Sequence, residues 1–195
     1  MSRTATIERK TKETDIRLSL DLDNAGRGEI SSGNAFLDHM LDLLQVHSGS
    51  TINLSCQGDV EIDMHHSMED IAICLGDAIL EAIGDKKGIE RYGFYYVTMD
   101  EALARVCLDL SGRFALQYSA PIAALKVGGL ELSLFQHFFY SLAEHARMNL
   151  HIDLLRGDDG HHCIEGIFKA FARALGMALS PSSRIAGVPS SKGSL

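Results

Sequence analysis

His65-His66-Ser67-Met68-Glu69 recurs 96 positions later as His161-His162-Cys163-Ile164-Glu165, two copies of one pattern, His-His-x-x-Glu. Each copy opens an apolar-periodic stretch. Ile71, Leu75, Ala78 and Ala82 recur at three- and four-residue steps within residues 67–83, and Ile167, Phe168, Phe171 and Leu175 mark residues 163–179. That spacing predicts two amphipathic helices. Residues i and i+4 share one face of a helix, so His65 and Glu69 can hold one metal ion, as can His161 and Glu165. His66 and His162 stand about 100° further round and face a different metal or partner.

The repetition extends outward from these motifs. His39 and His47 are eight apart, as are His137 and His145, and Asn53-Leu54 recurs as Asn149-Leu150. Ile16, Leu18, Leu20 and Leu22 alternate with polar residues, as do Ala104, Val106, Leu108 and Leu110. This period of two predicts half-buried strands. Glu13 stands three residues before the first of these strands, and Glu101 three before the second. Shorter strands are expected at residues 50–55, 60–62, 94–99, 114–118 and 149–154, and further helices at 35–47 and 131–147. The order of strands, helix, strands, helix then occurs twice. We read an α+β fold, a tandem repeat of two similar halves, each a small β-sheet covered by two helices. Residues 1–88 form the first half, 89–182 the second, and 183–195 a tail rich in Ser, Gly and Pro, for which flexibility is the default.

Lys plus Arg is 18 and Asp plus Glu is 26, a formal charge of −8. An acidic chain is a poor partner for nucleic acid or an anionic membrane. The first residues, MSRTATIERKTKET, are too polar for a signal peptide, and no run of 18 apolar residues occurs. The four cysteines, Cys56, Cys74, Cys107 and Cys163, form no CxxC pair, which suggests reduced thiols in a cytoplasmic protein.

The doubled motif points to two equivalent metal sites related by a pseudo-twofold axis. Each takes a His/Glu pair from one copy and the odd histidine from the other. Adding His39 and His137, one per site, gives three imidazoles and one carboxylate. Nitrogen and oxygen donors without thiolate suit Mn²⁺, Fe²⁺, Co²⁺, Ni²⁺ or Zn²⁺. A single such motif has a plainer explanation, because Glu in a first helical turn is favoured by the helix dipole. Two copies, each with a matched upstream histidine, argue for the metal. His47, His145 and His151 read as packing or supporting residues.

Several ordered blocks carry a resemblance to a known family. They include Arg9-Lys10-Thr11-Lys12-Glu13-Thr14, Phe36-Leu37-Asp38-His39-Met40-Leu41, the stretch from Asp63 to Asp70, Gly88-Ile89-Glu90-Arg91-Tyr92-Gly93, Leu110-Ser111-Gly112-Arg113, Phe168-Lys169-Ala170-Phe171 and the Ser-Ser-Lys-Gly tail. Almost end to end, the chain resembles the imidazoleglycerol-phosphate dehydratases of histidine biosynthesis. It departs from their pattern at Asp158, at Gly166 and at Ser48-Gly49, none of which removes a ligand.

The resemblance implies dehydration of D-erythro-imidazole glycerol phosphate to imidazole acetol phosphate at a site of two Mn²⁺ per subunit that binds the substrate's imidazole or imidazolate ring. It implies a homo-oligomer of 24 subunits built from trimers, with sites completed by neighbouring chains. The metal ligands it implies are His39, His65, His66, Glu69, His137, His161, His162 and Glu165. It implies substrate contacts at Gln45, His47, Arg91, Arg113, Lys169, Ser191 and Lys192, and at Glu13, the expected acid/base. Arg91, Arg113, Lys169 and Lys192 are expected to grip the phosphate, and the tail, residues 183–195, to become ordered on binding and close the active site. A two-metal phosphoesterase and a metal-storing scaffold are the rival readings. The first usually draws on more Asp among its bridging ligands, and the second leaves Glu13 and the basic tail without a purpose.

Overall fold

A computed structural model of the chain describes residues 2–195. The first half contains β1 (Thr4–Lys10), β2 (Thr14–Asp21), β3 (Ile30–Ser31), α1 (Ala35–Ser48), β4 (Thr51–Gly58) and α2 (His65–Ile83). The second contains β5 (Tyr92–Met99), β6 (Ala102–Asp109), β7 (Ala115–Ser119), β8 (Lys126–Val127), β9 (Leu130–Glu131), α3 (Ser133–His145), β10 (Asn149–Arg156) and α4 (Gly160–Leu179). The two sheets have matching orders, β1-β2-β4-β3 and β5-β6-β10-β7. In each, the last strand of the row runs parallel to its neighbour and the other pairings are antiparallel. The β8–β9 ribbon is an addition confined to the second half.

Alternation places Ile16, Leu18 and Leu20 of β2, and Ala104, Val106 and Leu108 of β6, in the core. The opposite faces carry residues such as Arg17 and Cys107. Helix α2 covers β1 and β2, and α4 covers β5 and β6. The other two helices cross between halves: α1 packs on α4, and α3 packs on α2. Two glycines permit these close approaches. A Cβ on Gly76 of α2 would lie 2.7 Å from the Leu142 carbonyl oxygen of α3, and one on Gly176 of α4 would lie 2.6 Å from the Ser48 carbonyl oxygen of α1.

Phe168 sits at the centre of the α3–α4 contact, with ring centroids of Phe139, Phe138 and Phe135 at 5.1, 5.6 and 6.1 Å. All four rings are fully buried. Phe168→Ala is expected to destabilise the protein by about 3–5 kcal/mol, because a cavity adds to the lost apolar burial. Urea denaturation of the whole protein checks this.

Three local expectations are corrected. Residues 60–62 form a turn rather than a strand: the Ile62 N–H bonds to the Asp59 carbonyl, and Val60 and Ile62 are exposed. β1 was not anticipated, because its polar sequence has only Ala5 fully inside and its strand form comes from pairing with β2. The tail is held against residues 88–91, through Gly88 N–H to the Gly187 carbonyl, Ser182 N–H to the Gly88 carbonyl, and Arg91 Nη1 to the Pro189 carbonyl. Cys56, Cys74 and Cys163 are buried thiols and Cys107 is exposed, all four free.

Candidate metal centre

The crossed helix packing decides which ligands meet. On α4, His161 and Glu165 lie one turn apart and their side chains touch, with His161 Nε2 3.1 Å from Glu165 Oε2. His39, on α1 of the other half, brings its Nε2 to 3.2 Å from the same oxygen. On α2, His65 Nε2 is 4.0 Å from Glu69 Oε2, and His137, on α3 of the other half, places Nε2 3.3 Å from Glu69 Oε1. In each trio the candidate ligand atoms lie within 4.8 Å of one another. Each trio therefore draws on both halves, as a pseudo-twofold arrangement requires.

Local chemistry sets the motifs at helix starts. The Asp159 carboxylate caps α4 by accepting from the backbone N–H groups of His161 and His162. The Asp63 carboxylate accepts the His65 N–H at 2.7 Å. These contacts satisfy donors that a helix start leaves without partners.

His66 and His162 turn away from the trios, as a 100° step demands. His66 Nδ1 is 3.0 Å from Asp59 Oδ2, and its Nε2 is 3.9 Å from Glu13 Oε1. His162 Nδ1 is 2.8 Å from Glu101 Oε2, and its Nε2 is 3.7 Å from Asp100 Oδ2. The expectation that each odd histidine joins the opposite pair is therefore not met within one chain.

Two nitrogens and one carboxylate oxygen form each trio, a donor set that fits a divalent transition ion with positions left open. A second observation supports the fit. His137 Nε2 is shielded from solvent yet has no hydrogen-bond partner among the described residues, which is costly unless it serves another ligand. Burial pushes the Glu165 carboxyl up. The hydrogen bonds from Lys169 and His39, the Lys169 charge and the bond from His161 more than reverse this and bring it to about 2, so it is an anion at neutral pH.

The substrate candidates divide. Lys169 Nζ reaches Glu165 Oε1 at 2.5 Å, and Arg173 follows four residues later on α4. His47, eight residues after His39 on α1, lines with Arg173 and Tyr95 a cavity of about 480 Å³. Burial, then the Lys169 and Arg173 charges, push the His47 imidazole down towards its neutral form. Arg91 lies elsewhere. Its φ of 70° is in the left-handed region, its N–H bonds to Ala178 at the end of α4, and its guanidinium grips Asp109 at 2.6 and 3.0 Å. The nine residues from Lys169 to Ala178 span about 14 Å of helix. Arg91 is thus anchored at the far end of α4 from Lys169, with its guanidinium held by Asp109 and the Pro189 carbonyl. Arg113, Ser191 and Lys192 are exposed.

Gln45 is buried, and its side chain joins loop to helix: its oxygen accepts from Gly28 and Ile52 N–H, and its amide donates to Asp42 and the Gly28 carbonyl. In this arrangement the side chain is engaged within the protein. Sequence reading also passed over Asp59, Asp100 and Arg173. Asp59 lies six positions ahead of the first motif, a separation that carries no helical signal.

Fold and centre together define an enzyme of two similar α+β halves with paired histidine–carboxylate clusters. The family model for imidazoleglycerol-phosphate dehydratase matches residues 32–175, and the imidazoleglycerol-phosphate dehydratase of Pseudomonas paraeruginosa is 50% identical over 99% of this chain and 98% of its own. The chain belongs to the imidazoleglycerol-phosphate dehydratase family, hydro-lyases of histidine biosynthesis. The Pseudomonas entomophila relative is 49% identical over the whole of both chains. The crystal structure from Staphylococcus aureus superposes with TM-score 0.84 at 43% identity, covering 92% of this chain and 99% of that one. The one from Pyrococcus furiosus, in complex with (S)-C348, does so with TM-score 0.81 at 33% identity, covering 97% and 100%. Among the described residues no helix is long and apolar enough to cross a membrane.

Proposed function

We propose that this chain dehydrates D-erythro-imidazole glycerol phosphate to imidazole acetol phosphate at two Mn²⁺ per subunit, with Glu13 moving the proton. The observation that carries the reading is the pair of trios, each assembled from both halves, with Glu13 beside the imidazole that turns away from them.

The reaction removes hydroxide from the carbon attached to the imidazole ring and a proton from the next carbon, whose own hydroxyl stays in place. The resulting enol becomes the ketone. The C–H proton is only weakly acidic. Bound divalent ions supply Lewis-acid polarisation of ring and hydroxyl. The protein's own residues do the rest. His39, His161 and Glu165 hold one ion, and His65, Glu69 and His137 hold the other. His66 and His162, facing outward, complete centres on neighbouring chains, in an assembly of 24 subunits built from trimers. Glu13, at the β1–β2 turn, takes and returns the proton. His47 and Lys169 extend the first trio towards the phosphate. Arg91, Arg113, Ser191 and Lys192 of an adjoining chain fit the same role, since Arg91 is held by Asp109 at the far end of α4 from Lys169.

The deciding experiment supplies imidazole glycerol phosphate and Mn²⁺ to the full protein and follows imidazole acetol phosphate. Release of inorganic phosphate in its place defeats the reading. The tail belongs to it too. Deleting residues 190–195 removes Ser191 and Lys192, and the loss of a charged hydrogen bond of about 1.5–3 kcal/mol is expected to raise KM about tenfold or more. Steady-state kinetics with unchanged KM and kcat would refute a closing role.

A further inference from the structure

We infer that Asp59 and Glu101 are positioning residues that fix the ring of the second histidine in each pair, so that His66 and His162 offer Nε2 as a ready metal ligand. The inference rests on the metal reading above and deepens it.

The argument begins with the imidazole itself. A neutral ring has one N–H and one lone pair, and the partner of one nitrogen decides which is which. A carboxylate only accepts. Asp59, at 3.0 and 3.2 Å from His66 Nδ1, and Glu101, at 2.8 Å from His162 Nδ1, therefore draw the proton to Nδ1. The lone pair is left on Nε2. Neither Nε2 is itself hydrogen-bonded, since the nearest carboxylate oxygens, of Glu13 and Asp100, stand at 3.9 and 3.7 Å. The four histidines of the trios also present Nε2 to their carboxylates. All six imidazoles thus show the same face to a ligand, although two of them lie outside the trios.

The two carboxylates come from places that the internal repeat does not relate. Asp59 follows β4 in the first half, and Glu101 lies in the β5–β6 turn of the second. The turn residue that corresponds to Glu101 is Glu13. Glu101 is fully engaged: besides His162 it accepts the backbone N–H groups of Asp158 and Asp159, at 3.3 and 2.9 Å. Glu13 is released from that duty because Asp59 performs it. It stands instead on the Nε2 side of His66. The repeat supplies two turn glutamates, one spent on orienting a histidine and the other left for chemistry. This asymmetry separates Glu13 from Glu101 as proton carrier.

Asp59 gives the clean test, since among the described residues its side chain bonds only His66. Mn²⁺ is titrated calorimetrically into metal-free full-length protein, with bound and free ion counted by electron paramagnetic resonance. In Asp59→Ala, one of the two Mn²⁺ per subunit is expected to bind about 10–100-fold more weakly, with the other unchanged. Asp59→Asn, whose amide oxygen still accepts from Nδ1, is expected to recover most of that loss. Glu101→Gln is expected to weaken binding similarly, because whichever way the amide turns, one of its contacts is lost. Wild-type affinity and stoichiometry in Asp59→Ala would overturn the positioning role alone. Wild-type protein that takes up no Mn²⁺ would overturn both the role and the metal reading beneath it.

Discussion

Metal-free protein is expected to lose turnover by at least about 10³-fold and to regain it on addition of Mn²⁺. Polarising the ring and hydroxyl is worth several kcal/mol, and no side chain near the trios replaces that contribution. The protein chemistry predicts more than simple loss. His137 Nε2 is shielded from solvent and meets the Glu69 carboxylate at 3.3 Å without making a hydrogen bond, so His137→Ala removes a nitrogen that holds no hydrogen bond among the described residues. The variant is expected to stay folded, to bind one Mn²⁺ fewer per subunit and to lose turnover with it. Metal analysis and kinetics on one preparation check both points. Full activity in rigorously chelated enzyme would contradict the proposal.

Glu13→Gln is expected to lower kcat by about 10²–10⁴-fold while leaving KM and Mn²⁺ affinity close to those of the parent. Glutamine keeps the size of the side chain but cannot accept and return a proton. Glu13 is solvent-accessible at the β1–β2 turn and its side chain holds no structural hydrogen bond, so fold stability is not expected to change. A pre-steady-state comparison of substrate binding with turnover separates the chemical step from binding. Retained turnover would pass the proton-transfer role to another residue. Glu101 is a weak replacement, because backbone bonds from Asp159 and the His162 contact hold its carboxyl down at about 2.

Elements whose sequence carries its own period were legible. The four helices occur where three- and four-residue apolar spacing predicts them, with ends moved by a few residues. Helix α2 begins at His65 itself rather than at Ser67, and α4 begins at Gly160, ahead of the second motif. Asp159 caps α4, and Asp63, one residue ahead of the Met64 cap of α2, accepts the His65 N–H, which accounts for the earlier starts. β2 and β6 announce themselves through alternation, whereas β1 does not, since an edge strand needs little apolar surface and takes its form from its neighbour. Residues 60–62 misled for the opposite reason: Val60 and Ile62 alternate as a strand does but have no partner strand. The backbone partners of Gln45 were not legible, because one polar residue on a helix looks alike whether it faces solvent or the Gly28 and Ile52 backbone.

By itself, the sequence determined the two-half α+β plan, the one-turn spacing that joins His65 to Glu69 and His161 to Glu165, and the turning away of His66 and His162. All follow from local geometry, with periods of two and 3.6 residues written directly in residue order. Tertiary structure alone decided that α1 lies on α4 and α3 on α2, and hence that His39 serves the second motif and His137 the first. It also decided that Asp59 takes over the imidazole that Glu13 leaves free. Close packing chooses such partners, through the bare surfaces of Gly76 and Gly176 and the fit of side chains far apart in the chain. No spacing along the sequence records that choice.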